Sequence, residues 1–267
     1  MVQLWKPEVL HEIGGRSNNE DAIYPEEPRE DESVFLVCDG VGGQKKGEVA
    51  SALICRYFPE YLNYNAQMEL ANDYDYLENG LRYVESRIKE YIHENPDCAG
   101  MASTLTIAHF RKKTNQVVLG WIGDSRIYHI RDGIVQYQTK DHSEVQSLLD
   151  MGEITEEEAE NHPRKNVITR AVTGKREARI DQKVINDLQP NDFFLLCTDG
   201  ILENFGTKEI QTWFKENNSP EAIKKLIYEN AFEKTKDNFS MCLIKVKTVK
   251  PLPLKEKIKT NLKKWGL

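Results

Sequence analysis

Apolar positions along this 267-residue chain recur at two different spacings, and the switches between them mark out the elements. Val34 to Cys38 is a continuous, partly β-branched apolar run, the pattern of a strand covered on both faces, and Gly40, Gly42 and Gly43 free the backbone to turn after it. Beyond Gly47 the spacing becomes helical, with Val49, Ala50, Leu53, Ile54, Tyr57 and Phe58 on one face and Glu48 in the first turn, where the helix dipole favours negative charge. A second helix is predicted over Asp73 to Glu94, with Tyr76, Leu77, Leu81, Val84, Ile88 and Ile92 facing the core and Asn95-Pro96 ending it. Residues 2–13 read as one or two short strands, and the Pro- and Glu-rich stretch 25–32 as an exposed loop. Leu105 to Phe110, Val117 to Ile122, Ile127 to Ile130 and Ile134 to Tyr137 then read as four strands; with turn signals at Asn115 and Asp132-Gly133, they predict an antiparallel meander.

The pattern breaks at residues 141–166, which predict an insertion of two short helices, with a capping box at Thr155 and Glu158 and a stop at Asn161-His162-Pro163. Strand-like segments resume at Ile168 to Gly174, Ile180 to Ile185 and Asp192 to Cys197. Two further helices are marked by Trp213 and Phe214 and by Ile223, Leu226 and Ile227, and Met241 to Val246 closes the pattern as a strand.

Composition narrows the function classes. A chain of 267 residues can bury a sizeable single core. Its net charge of -7, with no basic cluster in the main body, argues against nucleic acid, whose binding rests on neutralising phosphates. The five cysteines are odd in number and lack C-x-x-C spacing, so reduced, buried thiols are expected. Neither a signal peptide nor a membrane-spanning run is apparent, and the expected location is the cytoplasm.

Candidate chemistry gathers at strand exits. Asp39-Gly40 follows the apolar run Val34 to Cys38, and Asp199-Gly200 follows Phe193 to Cys197 in the same way. Two strands that each deliver a carboxylate to their exits can place both around one hard cation, and carboxylate oxygens are what Mg²⁺ or Mn²⁺ require. Arg16 beside Glu20 and Asp21 adds a planar phosphate fork and two oxygen donors, while Asp124 and Asp237 stand at further strand junctions. A nucleotide-binding loop at Gly42 to Gly47 is excluded because Glu48 and Val49 stand where the Walker pattern needs Lys and Ser or Thr. Ser125 with His142 lacks the G-x-S-x-G elbow of a serine hydrolase, and His142 and His162, without a ligand-spaced partner, read as structural or surface histidines.

Six collinear fragments then resemble the metal-dependent protein Ser/Thr phosphatases of type 2C, the PPM family, in a bacterial-like form. They are R-x-x-N-E-D at Arg16 to Asp21, D-G-x-G-G at Asp39 to Gly43, G-D-S-R at Gly123 to Arg126, D-H-S at Asp141 to Ser143, T-D-G at Thr198 to Gly200 and D-N at Asp237-Asn238. The resemblance implies an α+β fold, a central β-sandwich of two antiparallel sheets flanked by α-helices, with residues 1–247 as the phosphatase domain and a flap at about 141–166. It implies two or three Mg²⁺ or Mn²⁺ ions, bridged by Asp39, with the Gly40 carbonyl, Asp199 and Asp237 in the same site, Glu20 and Asp21 acting through water, and Asp124 at a third position. Arg16 would hold the phosphate, and a hydroxide between the metals would attack phosphoserine or phosphothreonine directly. Phosphorylated proteins and a cognate Ser/Thr kinase are the implied partners, and a monomer the expected state. The rival reading is a pseudophosphatase that binds phosphoproteins without hydrolysing them; its signature would be loss of Asp39, Asp199 or Asp237, and all three are present. Val41 stands where some members carry a histidine, so the leaving group needs another acid, and Ala102-Ser103 replaces a Gly-Thr pair.

Two regions carry expectations of their own. Glu153, Glu156, Glu157, Glu158 and Glu160 make the flap acidic, which reads either as a solvated helix face or as a field that would favour substrates with basic flanks. Residues 248–267 read as a basic tail in which Leu254, Ile258, Leu262 and Trp265 share one helical face among lysines, suited either to packing back onto the protein's own acidic body or to an anionic membrane surface or an acidic partner.

Overall fold

The computed structural model describes residues 1–41, 46–65, 75–203, 205–216, 219–232 and 234–251. The apolar face expected of the tail, and Gly42 and Gly43, lie outside the described residues.

Two antiparallel sheets pack face to face. One has the order β11 (Asp181–Ile185), β7 (Gln116–Ile122), β6 (Leu105–Arg111), β4 (Val34–Asp39), β3 (Asp21–Tyr24). The other runs β1 (Val2–Leu4), β13 (Phe239–Val249), β12 (Phe193–Cys197), β8 (Arg126–Arg131), β9 (Ile134–Gln138), and β2 (Glu8–Glu12) pairs with the first half of β13 while β1 pairs with its second half. The α+β sandwich expected from the resemblance is therefore the observed architecture, and residues 2–13, read as one or two strands, form two.

Strand alternation assigns each side chain to one of three layers. On β4, Phe35 and Val37 point between the sheets with Phe110, Leu119, Phe194 and Ile244, and edge-on contacts from Phe110 to Phe35 at 5.9 Å and to Phe194 at 5.3 Å tie the sheets together. Val34, Leu36 and Cys38 point the other way, against α1 (Gly47–Tyr64) and α2 (Tyr76–Glu94), whose Ile54, Phe58, Leu81 and Val84 are fully buried. This is why the run Val34 to Cys38 is apolar at every position. The outer face of the second sheet is covered by α6 (Thr207–Glu216) and α7 (Pro220–Ala231) through Ile210, Phe214, Ile223 and Ile227. All five cysteines are buried free thiols. Among the described residues no helix is long and apolar enough to cross a membrane.

Three expectations are changed. The four-strand meander does not form: β6 and β7 pair in one sheet and β8 and β9 in the other, so the chain crosses between sheets at Gly123-Asp124-Ser125. Of Ile168 to Gly174 only Val172–Thr173 is a strand, β10, which pairs with β5 (Ala102–Ser103). Finally, Thr248 and Val249, assigned by sequence to the tail, continue β13 and pair with Gln3 and Val2.

The insertion at 141–166 contains α3 (Glu144–Asp150) and α4 (Glu156–Glu160), the latter opened by the predicted capping box of Thr155 and Glu158. Its base is closed by the Ser143↔Ile168 bridge and by backbone bonds from Glu144 to Val167 and from Thr169 to His142.

Candidate active site

Strand register brings the first two carboxylates together, because β3 and β4 pair so that Asp21 lies directly opposite Asp39 at the exit of both strands. Asp39 is held by its backbone: its N–H donates to the Thr104 hydroxyl at 2.9 Å, and its carbonyl accepts from the Thr104 N–H at 2.8 Å and the Ser103 hydroxyl at 2.9 Å. Ser103 thus supplies a hydroxyl despite the Ala102-Ser103 departure, and Ser125 backs Thr104 through a 2.7 Å hydroxyl contact. The Asp39 side chain takes no part in these bonds and faces the Asp199 side chain instead.

The remaining groups come from loops drawn in by close backbone approach. Asp199 opens a short helix, α5 (Asp199–Leu202), and a Cβ at the next residue, Gly200, would stand 1.9 Å from the Asn238 carbonyl oxygen, so only glycine lets these two segments meet. Asn238 in turn anchors the Arg16 to Asp21 loop. Its side-chain oxygen accepts the Glu20 N–H at 2.9 Å, and its amide donates to the carbonyls of Ile13 and Asn18, both at 2.8 Å. The Glu20 carbonyl accepts from the Gly40 N–H at 3.0 Å and the Ser51 hydroxyl at 2.6 Å, closing the loop onto β4 and α1. Asp124 occupies the crossover between the sheets.

Electrostatically this is a pocket of crowded negative charge. Burial, followed by the neighbouring Asp21, Asp199, Asp124 and Asp237, pushes the Asp39 carboxyl well above the usual range. Burial likewise raises Asp21 to about 7, against hydrogen bonds that favour its charged form, and Asp124 to about 8, reinforced by Asp199 and Asp141. Asp199 is raised by burial and by Asp237, and Glu20 by burial and Glu48. Arg16 lies on Asp237 at 2.6 Å. Arg126 is engaged bidentately by Asp141 at 2.8 Å on both arms.

The sequence-predicted residues Arg16, Glu20, Asp21, Asp39, Gly40, Asp199 and Asp237 are therefore brought together, with Asp124 coupled to them through Asp39 and Asp199. The side chains do not close a cage by themselves: no three carboxylate, imidazole or thiol groups converge as a formed ligand set among the described residues, and Asp237 faces Arg16. The donor set nevertheless fits divalent cations. One oxygen each of Asp21 and Asp199 is buried with no hydrogen-bond partner, and such orphaned carboxylate oxygens need a cation or a proton. All the candidate donors are oxygens, which suits Mg²⁺ or Mn²⁺.

Three positions escaped the sequence reading. Asn238 looked like a turn residue, Thr104 had no assigned role, and Thr198, whose hydroxyl donates to Asp21 at 3.0 Å, was only a motif letter. His142 is the structural histidine expected: it is half-buried, its Nδ1 accepts the Gly123 N–H at 3.0 Å, and it stacks on Trp121. His162 lies on the flap surface, where its Nδ1 accepts the Arg164 N–H at 3.2 Å.

With this geometry in view, the comparisons with known proteins speak to the class. The sequence profile of the protein phosphatase 2C family matches residues 11–228, and the chain belongs to that family. The serine/threonine phosphatase stp of Listeria welshimeri is 33% identical over 205 residues, covering 76% of this chain and 80% of that protein. The crystal structure of the Mycobacterium tuberculosis serine/threonine phosphatase PstP/Ppp superposes with a TM-score of 0.76 at 30% identity, covering 92% of this chain and 100% of that one. The catalytic domain of PstP in complex with two manganese ions matches with a TM-score of 0.73 at 30% identity, over the same shares of the two chains.

Proposed function

We infer that this chain is a metal-dependent protein phosphatase that hydrolyses phosphoserine and phosphothreonine in proteins, with residues up to β13 as the catalytic unit. The observation that carries the reading is the Asp21 and Asp39 pair, fixed opposite each other by strand register beside Asp199, with two buried carboxylate oxygens unpartnered. Asp39, the Gly40 carbonyl, Asp199 and Asp237 would hold a pair of ions, Glu20 and Asp21 would act through water, and Asp124 with Asp199 would serve a third. When bound, Mg²⁺ or Mn²⁺ supplies Lewis-acid activation of water and of the phosphoryl group.

The chain's own residues do the rest. Arg16, half exposed at the rim, would leave Asp237 and present its guanidinium fork to two phosphoryl oxygens. Thr104, Ser103 and Asn238 hold the carboxylates in place, so little reorganisation accompanies reaction. Val41 carries no proton to give, so the leaving alkoxide takes its proton from water or from a neighbouring acid.

The test is turnover of p-nitrophenyl phosphate and of phosphothreonine peptides with Mn²⁺, Mg²⁺ or chelator. Activity is expected only with metal, and Asp39→Asn is expected to abolish it while weakening Mn²⁺ binding seen by calorimetry. Metal-independent turnover, or a near wild-type Asp39→Asn, would overturn the assignment.

A further inference from the structure

A short loop, residues 174–180, joins β10 to β11 and is held against α2 more firmly than a surface loop requires. Glu85 on α2, only 2% exposed, accepts the Ala178 N–H at 2.7 Å. Arg82 binds Glu85, Glu78 and the Ala178 carbonyl, and Glu78 also accepts the Ile180 N–H at 3.3 Å. A carboxylate as buried as Glu85 is costly unless paired and hydrogen-bonded, and here both its partners serve to fix this loop. Gly174 lies so close to α2 that a Cβ there would stand 2.4 Å from the Ile92 side chain, and the Thr173 hydroxyl accepts the N–H groups of Lys175 and Arg176.

What the pinned backbone presents is predominantly positive charge, three cations against the single exposed carboxylate of Glu177, which lies 3.7 Å from Arg82. Ala178 and Ile180 are buried, whereas Lys175, Arg176 and Arg179 are exposed and their side chains have no hydrogen-bond or ion-pair partner among the described residues. Neighbouring cations differ: Arg164 is paired with Glu144 and Arg170 with Asp181, each at 2.7 Å. Register ties the strand that leads into the loop to the site, since Val172 pairs with Ser103, Ser103 bridges to Gly40, and the Ser103 hydroxyl holds the Asp39 carbonyl. The acidic helix α4, by contrast, packs on α3 within the flap.

We propose that Lys175, Arg176 and Arg179 form a fixed cationic rim that selects phosphoprotein segments carrying carboxylates beside the phosphorylated residue. This rests on the phosphatase reading and names its substrate class. In a molecule of net charge -7 the general field repels acidic segments, so a local, pre-organised positive rim is what would retain them. The preference reverses the one suggested by the acidic flap sequence.

Two phosphothreonine peptides, identical except for Glu or Lys flanks, are compared with wild type, with the triple variant Lys175→Ala, Arg176→Ala, Arg179→Ala, and with the charge reversal Lys175→Glu, Arg176→Glu. Wild type is expected to favour the Glu peptide in kcat/KM by about tenfold at low salt, shrinking at high salt. The triple variant should erase the preference and the reversal should invert it, with p-nitrophenyl phosphate turnover unchanged in both. A wild-type preference for Lys flanks, equal losses on both peptides, or intact discrimination alongside lost binding to phosphatidylserine vesicles would overturn the proposal. Fluorescence anisotropy of the two peptides reads the rim independently of turnover. An enzyme that binds the Glu peptide selectively but hydrolyses nothing refutes the phosphatase reading and leaves the rim standing.

Discussion

Asn238 is the residue on which most of the candidate site's loop geometry depends. It is 4% exposed, and its three side-chain hydrogen bonds reach Ile13, Asn18 and Glu20. Asn238→Ala leaves three backbone groups unpaired, at roughly 1–3 kcal/mol for each that stays buried and unsolvated, and it frees the loop that carries Arg16, Glu20 and Asp21. The expected result is a fall in thermal midpoint together with a higher Mn²⁺ requirement. Asn238→Asp should be no better, since its carboxylate can still accept from Glu20 but cannot donate to the two carbonyls, and it adds a charge to an acidic site. Unchanged Mn²⁺ dependence in both variants, measured by calorimetry and by turnover, would show that the loop is held by other means. Thr104 makes a narrower case. Thr104→Ser keeps the acceptor for the Asp39 N–H and should be tolerated, while Thr104→Val orphans that N–H and should lower both stability and turnover. Asp39 and Asp199 stood out in the sequence because Asp-Gly after an apolar strand is a local signal. Asn238 did not, because its partners lie 218 to 225 positions away and nothing around it marks the contact.

Elements show the same division between local and distant causes. The strand β4, the helices α1 and α2 and the flap helices follow from periodicity and caps that lie within a few residues of one another. Which sheet a strand joins does not. β7 and β8 are separated by three residues that resemble a hairpin turn, yet the chain crosses from one sheet to the other there. Leu119 and Ile127 then both enter the layer between the sheets, from opposite sides. That choice is made by packing across the sandwich, which no window of sequence contains. β10 was overestimated for a related reason: only Val172 in Ile168 to Gly174 is fully buried, and Ile168 and Thr169 bond to Ser143 and His142 at the base of the flap while Arg170 is held through its side chain by Asp181. The short helix α5 gives an element-scale prediction. Because a Cβ on Gly200 would lie 1.9 Å from the Asn238 carbonyl oxygen, Gly200→Ala must push α5 off β13 and carry Asp199 with it. Loss of soluble folded protein, or a folded protein with weakened Mn²⁺ binding, is expected by circular dichroism and calorimetry; a Gly200→Ala protein with wild-type stability and metal affinity would contradict the close approach.

At the scale of the whole molecule, two groups of titrating residues pull stability in opposite directions with pH. His109 on β6 sits beneath α2, its ring edge-on to Tyr76, and burial pushes it down to about 4 from an ordinary 6.5. Between those values the unfolded chain binds a proton that the folded chain refuses, so this residue costs stability as pH falls through 6.5 and the loss is complete near 4, up to roughly 3 kcal/mol in all. The carboxylate cluster acts the other way in metal-free protein. Asp21 and Asp124 are raised to about 7 and about 8, so the folded state takes up protons before the unfolded one and gains stability as pH falls from about 8 towards the ordinary carboxylate range near 3.8. Divalent cation at saturation removes that gain, because bound metal holds the carboxylates ionised and is itself displaced by protons. Urea unfolding of wild type and His109→Gln, each with chelator and with Mn²⁺ from pH 8 to pH 5, separates the two. The difference between the two proteins should grow in favour of the variant below pH 6.5 under both conditions, while in each protein chelator alone should yield stability that rises from pH 8 to pH 7. A wild type and variant with parallel profiles would mean that His109 accepts a proton without opening the layer between α2 and the sheet. A metal-free protein that loses stability from pH 8 to pH 7 would mean that the carboxylates are not crowded as the register of β3 and β4 requires.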